Sequence, residues 1–202
     1  YNEVMTRFGK DNPDVRFGME LVDFTDLAAM SGFRVFESVA AEGGHVRAIN
    51  ARGLGDYSRK QIDALTEYVG QYGVKGLAYI ALTSEGEQRS SFAKFLSEAM
   101  LATFIERLDG QPGDLLLFVA AAPTVVFESL GRLREHLGDL LGLRGTDVLG
   151  FCWVIDFPFV MWNEDEQRWD PSHHLFTSPM PEDLHLLDTN PGKARGQQYD
   201  MV

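Results

Sequence analysis

A run of apolar residues followed at once by a proline-initiated helix constrains this sequence more than any other feature. The run "LLLFVAA" at positions 115–121 contains no polar residue. A strand this uniformly apolar is typical of the interior of a sheet. The next stretch, "PTVVFESLGRLREHLGDLLG", begins with Pro123, a favoured first helical residue, and repeats apolar residues at helical spacing. The sequence therefore predicts a central strand followed by a long amphipathic helix.

Three other helices carry recognisable boundary signals. Ser58 and Gln61 form a capping box ahead of "IDALTEYVG", whose apolar positions share one helical stripe. A further helix is predicted from Ser97 to Leu108, and a short opening helix is predicted to end at Gly9.

The remaining segments suggest strands. "FRVFESVA" and "HVRAINAR" are rich in β-favouring residues and are joined by "AEGG", which predicts a hairpin. "KGLAYIALT" is predicted to be a strand, followed by a polar loop, "SEGEQRSS". The order strand, strand, helix, strand, helix, strand, helix over residues 22–145 predicts an α+β unit, with a mainly antiparallel sheet and helices on one of its faces. "VLGFCWVIDFPFVMW" is predicted to be another buried strand that ends at Pro158, with irregular structure after it.

Charge and composition exclude several classes of function. The chain has 202 residues and a net charge of −12, which argues against a protein that coats nucleic acid through clustered Lys and Arg. Residues 151–202 alone carry a net charge of −6, which indicates either a solvated loop face or a surface that repels RNA.

The compartment is predicted from cysteine use and from hydropathy. The single cysteine, Cys152, excludes an internal disulfide framework and is predicted to be a buried structural thiol. No stretch reaches about 18 continuous apolar residues, and no leader-like segment opens the chain. We therefore expect a cytoplasmic location without membrane attachment.

The stretch "DPSHHLFTSP" at positions 170–179 holds the most unusual polar residues. Adjacent side chains of an extended segment point to opposite faces, so His173 and His174 do not favour a single metal ion, and no metal site is predicted. Asp156 lies in the apolar run "WVIDFPF", where a carboxylate needs a partner. Composition leaves two interpretations open for all three residues, structural or substrate-binding. Phosphate-loop, nucleophile-elbow and zinc-protease motifs are missing, and no catalytic residue is predicted.

Seven blocks of this sequence follow one another in a fixed order: "YNEVMTRFGKDNPDVRFGMEL", "SRKQIDALTEYVGQYGVKGLAYI", "FAKFL", "GDLLLF", "WVIDFPFVMW", "HHLFTSP" and "QQYDMV". Together they resemble bacterial-type aspartyl-tRNA synthetase, and the resemblance covers essentially the whole chain. Two positions depart from the family pattern: Leu175 stands where the family has proline, and Gln198 stands where it has a small residue.

The resemblance implies a domain plan and a reaction. Residues 1–21 and 147–202 would be pieces of a class II catalytic core, and residues 22–146 would be a two-layer insertion domain shared with a tRNA-dependent amidotransferase subunit. The parent enzyme, expected to be a homodimer, would activate aspartate with ATP and Mg and transfer it to tRNA. The family's ATP-binding motifs lie outside this sequence, so the isolated chain is expected to be inactive and without cofactor.

The resemblance also implies roles for the site residues. His173 would lie in the amino-acid pocket, His174 on the adjoining surface, and Asp156 would support the wall of the pocket. Two alternatives stay open: a non-enzymatic module that contacts tRNA or tunes conformation, and a segment of the amidotransferase subunit. The blocks "WVIDFP", "HHLFTSP" and "YDMV" favour the synthetase over the second alternative.

Overall fold

The computed structural model describes residues 1–145 and 147–202, which form one large sheet with helices and two small strand pairs. Short 3₁₀ helices cover Ala93–Phe95, Pro181–Leu186 and Pro191–Lys193. The other elements, in chain order, are α1 (Asn2–Phe8), β1 (Val22–Asp23), α2 (Thr25–Ala28), α3 (Arg34–Ala41), β2 (His45–Ala51), α4 (Arg59–Gly70), β3 (Ala78–Leu82), β4 (Gln88–Ser90), α5 (Glu98–Arg107), β5 (Leu115–Ala121), α6 (Pro123–Leu140), β6 (Trp153–Val154), β7 (Val160–Asn163), β8 (Arg168–Pro171) and β9 (Asp200–Met201).

The large sheet has the strand order β1-β2-β5-β3-β4, and its pairings are antiparallel. Strand β5 lies at the centre, as the apolar run predicts, and Phe118 pairs with Ala48 on one side and Ala78 on the other. The predicted α+β class with an antiparallel sheet is therefore confirmed.

Helices cover both faces of this sheet, so the predicted two-layer arrangement with helices on one face is wrong. Leu115, Leu117 and Val119 face one apolar cluster, which α4 and α6 complete. Leu116 and Phe118 face a second cluster, which residues of α2, α3 and α5 complete. The physical reason lies in β5 itself, because successive side chains of a strand point to opposite faces and both faces here are apolar.

The predicted hairpin between "FRVFESVA" and "HVRAINAR" is also wrong, because the first run forms helix α3. Phe33, the residue that precedes the helix, lies with its ring 4.9 Å from that of Phe36, and Phe36 is 1% exposed with its ring 5.1 Å from that of Phe92. Val35 points the other way and is 55% exposed. Packing at helical spacing has overridden the β-favouring composition. The predicted polar loop, in turn, contains the edge strand β4.

The helix boundaries predicted from local signals are confirmed. Both halves of the capping box are present: the Ser58 hydroxyl accepts from the Gln61 amide, and the Gln61 side chain accepts from the Ser58 amide. Helix α5 follows Ser97, whose hydroxyl accepts from the amide of Met100 at 3.2 Å. Helix α1 ends at Gly9, which adopts φ 73°.

The predicted long buried strand after the domain is replaced by two short pairs. Strand β6 pairs with β9 over two residues, and β7 pairs with β8 in a hairpin where irregular structure was expected. Phe151 and Trp153 are 68% and 62% exposed, because within the described chain β9 is the strand that flanks β6 and no second layer covers its outer face. Cys152 is half-buried rather than buried, so this prediction is corrected too.

Candidate substrate-binding site

His173 and His174 follow strand β8, and both side chains lie exposed at the surface. The ring of His173 lies 6.1 Å from the ring of Phe157. The Nδ1 atom of His174 accepts a hydrogen bond from the amide of Phe176 at 3.2 Å. This bond requires an unprotonated Nδ1, so the neutral His174 ring carries its proton on Nε2, where it is a donor.

Asp156 has the ionic partner that its apolar surroundings demand. Its Oδ1 accepts from Nη1 of Arg195 at 3.2 Å. Asp156 also has a positive φ of 58°, a left-handed conformation that aspartate tolerates better than most non-glycine residues. Among the described residues, no hydrogen bond joins Asp156 to either histidine.

Arg195 connects Asp156 to a second acidic segment. Its Nε donates to Asp183 at 2.7 Å, and one Nη donates to Asp183 and Glu182, each at 3.1 Å. Asp183 is 7% exposed and also accepts from the backbone amide of Arg195 at 3.0 Å. These hydrogen bonds lower the pKa of Asp183, and the bond to Asp183 raises the pKa of Arg195. Asp183 therefore stays ionised beside the guanidinium at neutral pH.

Backbone hydrogen bonds on both sides of residues 194–197 bracket the histidine loop. On one side, the amide of Phe159 donates to Ala194 and the amide of Gly196 donates to Phe157, both at 2.8 Å. On the other side, the amide of Met180 donates to Arg195 at 2.8 Å and that of Gln197 donates to Ser178 at 2.9 Å. Within the loop, Thr177 donates its amide to the carbonyl of His174. The loop from His173 to Pro179 thus starts and ends on one central segment.

The two departures from the family pattern lie in this region. Leu175, at the tip of the loop, is 80% exposed. Gln198 occupies the space beside Gly196, where a larger side chain would collide with it, and its Nε2 donates to the carbonyl of Pro158 at 3.4 Å. The side-chain carbonyl oxygen of Gln198, Oε1, is buried and has no hydrogen-bond partner among the described residues.

A cavity of about 700 Å³ opens between α1 and β6, and Asp156 and Arg195 contribute to its wall. Tyr1 and Trp153 also line it, whereas the two histidines do not. The predicted site residues therefore fall into two places: Asp156 in this wall, and the histidine pair on the exposed loop.

Arg195 and Asp183 were not predicted as site residues. Their only sequence signal is the scarcity of positive charge after residue 150, where Arg195 is one of three basic residues among nine acidic ones. Their contact joins positions 12 residues apart, with Asp156 a further 27 residues away along the chain. No local periodicity connects such positions.

Residues 1–145 and 147–202 bring together no group of three or more His, Cys, Asp or Glu side chains that could hold a metal ion. No helix in the described part of the chain is long and apolar enough to cross a membrane.

The chain is similar to known proteins over its whole length. The GAD domain family matches residues 36–130, which include β2 to β5 and the helices between them. The chain is 58% identical over 184 residues to an aspartate–tRNA(Asp/Asn) ligase of Symbiobacterium thermophilum, covering 91% of this chain and 31% of that protein. It is 50% identical over all 202 residues to the aspartate–tRNA(Asp/Asn) ligase of Geotalea uraniireducens and to the aspartate–tRNA ligase of Ruminiclostridium cellulolyticum, covering 34% of each.

The chain thus spans about a third of the length of the curated relatives that it matches. The resemblance carried by the seven sequence blocks is confirmed, since the similarity extends through the GAD domain and through both segments that flank it. These matches show that the chain is an aspartyl-tRNA synthetase segment that contains a GAD domain.

Proposed function

We propose that the full-length protein containing this chain is an aspartate–tRNA ligase, which activates aspartate with ATP and transfers it to tRNA. The observation that carries this proposal is the 50% identity to ligases over all 202 residues. The similarity continues beyond residue 130, where the GAD domain match ends. This continuation favours the ligase over the amidotransferase subunit, for which the shared domain alone was the argument.

We also propose the domain plan implied by the resemblance. Residues 1–21 and 147–202 are parts of a class II catalytic core, and residues 22–146 are the insertion domain. Two observations support this division. Apart from Leu21, the buried residues of both apolar clusters lie between Phe24 and Leu137, so the cores on the two faces of the sheet belong mainly to the insertion domain. The two flanking segments contact each other, with the rings of Tyr1 and Phe157 5.2 Å apart.

The histidine loop is proposed to bind aspartate, with His173 in the pocket and His174 on the adjoining surface. A neutral imidazole can donate to a substrate carboxylate, and a protonated one also complements its charge. The Nε2 proton of His174, fixed by the bond from Phe176, supplies such a donor. Asp156 acts indirectly, through Arg195.

The proposal also covers the other substrates and partners of the full-length protein, without assigning them to residues of this chain. ATP and Mg are proposed as cofactors of the full-length protein, and no residue of this chain is assigned to them. The charge of −12 favours tRNA contacts made mainly by other parts of the full-length protein. Homodimer formation rests on the family resemblance, and a cytoplasmic location rests on the cysteine use and hydropathy of the sequence together with that resemblance.

The test is aspartate-dependent exchange of labelled pyrophosphate into ATP by the full-length protein. We expect exchange with aspartate and none with asparagine or glutamate, followed by aspartylation of tRNA. The isolated 202-residue chain, assayed in parallel, is expected to give no exchange above a buffer control. Equal exchange with and without aspartate in the full-length protein would refute the proposed activity.

The non-enzymatic alternative predicts a different measurement. A tRNA-contacting module would bind tRNA as the isolated chain, with an affinity that falls steeply with salt. We expect no such binding at physiological salt, because acidic residues outnumber basic ones by 30 to 18.

A further inference from the structure

We propose that Arg195 is a positioning residue for aspartate recognition: its guanidinium sets the geometry of the loop that carries His173 and His174. The inference rests on the proposed function for its kinetic consequence, and on the contacts of this chain for its structural one. Arg195 lies in the wall of a cavity that excludes both histidines, so it acts on them through the backbone.

The first step concerns the guanidinium of Arg195, which joins the segment of Asp183 to the segment of Asp156. Nε and one Nη donate to the two carboxylate oxygens of Asp183, and the other Nη donates to the carboxylate of Asp156. A bidentate guanidinium–carboxylate pair fixes angle as well as distance, which a lysine ammonium does not. Because Asp183 is 7% exposed, this pair is the anchored end of the arrangement.

The second step leads from Asp156 to the entrance of the loop. The left-handed φ of Asp156 determines where the chain turns before Phe157, whose ring faces that of His173. The ion pair with Arg195, at 3.2 Å, holds the Asp156 side chain in this position. Two residues further on, the carbonyl of Phe159 accepts from the amide of Ser172, the residue that precedes His173.

The third step leads from Arg195 to Pro179, the C-terminal end of the loop. Its own carbonyl accepts from Met180, and the next residues extend the same contact through the bridge between Pro179 and Gly196. Between entrance and exit, the four residues from His173 to Phe176 are exposed. The loop is therefore held mainly at its two ends, and Arg195 lies between them.

The expected consequence is a change in aspartate binding with little change in the chemical step. Displacement of a positioned group by about 1 Å is enough to cost up to a hundredfold in a binding or catalytic parameter. For Arg195→Lys we expect the KM for aspartate to rise about tenfold, with the KM for ATP and kcat changed less than about twofold, as is typical of lost uniform binding.

The matched control is Arg168→Lys. Arg168 lies on β8, close to the loop in sequence, and also pairs with two carboxylates, those of Glu166 and Asp170. Its side chain is 62% exposed, and none of its contacts spans the loop. We expect wild-type kinetics for this variant.

The experiment has a structural arm and a kinetic arm. In the 202-residue chain, the ring-nitrogen NMR signals of His173 and His174 report loop geometry, assigned by single His→Ala variants. Arg195→Lys is expected to shift these signals and to speed hydrogen exchange at the Met180 and Gln197 amides, whereas Arg168→Lys leaves all of them in place. In the full-length protein, aspartate and ATP kinetics are then measured for the same variants.

Unchanged histidine signals in folded Arg195→Lys would overturn the proposal, as would a KM for aspartate equal to the wild-type value. Equal increases in KM for aspartate and ATP would also overturn it, since they indicate general damage. If the wild-type full-length protein shows no aspartate-dependent exchange, the proposed function is refuted. The role of Arg195 in the loop is still tested in that case, because the histidine signals are recorded without substrate. If Arg195→Lys does not fold, Asp156→Asn removes one charge of the same network and is expected to shift the same signals.

Discussion

The guanidinium carbon of Arg134 lies 4.0 Å from the ring centroid of Phe17, and this contact fastens the opening segment to helix α6. Arg134 is 1% exposed and donates to the carbonyls of Asp14, Phe17 and Gly18 at 2.7–2.9 Å. Burial lowers the pKa of Arg134 to about 10, which leaves it charged at neutral pH. A buried cation thus ties residues 1–21 to the helix that covers the sheet.

Replacing Arg134 with methionine is expected to destabilise the chain by about 3 kcal/mol. The substitution fills similar volume but leaves carbonyls without their donor, and unsatisfied buried polar groups are costly. Urea unfolding followed by circular dichroism measures the change. Arg59→Met, at a side chain 91% exposed, is the control and should stay within about 0.5 kcal/mol of wild type. Equal midpoints for both variants would mean that Arg134 does not hold the segments together.

Gly9 is predicted to tolerate alanine far less well than Gly43. Both glycines have positive φ, 73° and 79°, so both substitutions carry the left-handed strain. A Cβ at Gly9 would lie 2.9 Å from the amide nitrogen of Gly131 and closer still to the carbonyl of Phe127, whereas one at Gly43 meets nothing within 4 Å. We expect Gly9→Ala to cost about 2 kcal/mol more than Gly43→Ala in urea unfolding. A difference near zero would show that α1 can move away from α6 freely.

Features encoded by neighbouring residues could be predicted from the sequence. The capping box at Ser58, the glycine that ends α1 and the central strand β5 each depend on a few adjacent positions. Helix α3 was missed because Phe33 and Phe36 favour strands by type, whereas the helix depends on tertiary contacts, among them those of Phe36 with Phe92 and Phe118.

The candidate site was predictable only in part. The histidine pair and Asp156 stand out by residue type, since charge and imidazole are unusual in apolar or short loop segments. Arg195 does not, because its partners are distant in sequence and its role depends on tertiary contacts. The second helical layer was missed for a similar reason: a fully apolar β5 requires cover on both faces, but the residues that provide it are spread over α2, α3 and α5.

Stability is expected to fall in acid, partly through Asp14. Hydrogen bonds from Arg16, above all from its side chain, lower the pKa of Asp14 below its ordinary value of 3.8. A carboxyl whose pKa is lower in the folded state contributes stability above the unfolded-state pKa, and loses it as the pH falls through the folded value. The free energy of unfolding of the wild-type chain should therefore decrease below about pH 4.

The variant Asp14→Asn isolates this contribution. It should be less stable than wild type at pH 7, and the difference between the two free energies of unfolding should narrow progressively as the pH falls below about 4, because the unfolded wild-type carboxyl then takes up a proton before the folded one does. Chemical denaturation at pH 7, 4, 3 and 2 gives the comparison. A constant difference between the two proteins across this range would exclude the ionised carboxylate as the source of the stability.

Steady-state aspartate activation by His173→Ala and His174→Ala variants of the full-length protein tests the central claim most directly. A charge-assisted hydrogen bond contributes roughly 1.5–3 kcal/mol, so His173→Ala should raise the KM for aspartate about tenfold to hundredfold with little change for ATP. His174→Ala should have a smaller effect, because His174 is proposed to lie on the surface that adjoins the pocket and not inside it. Circular dichroism establishes that both variants are folded. Wild-type aspartate kinetics in a folded His173→Ala protein would contradict the account and make the histidine pair structural.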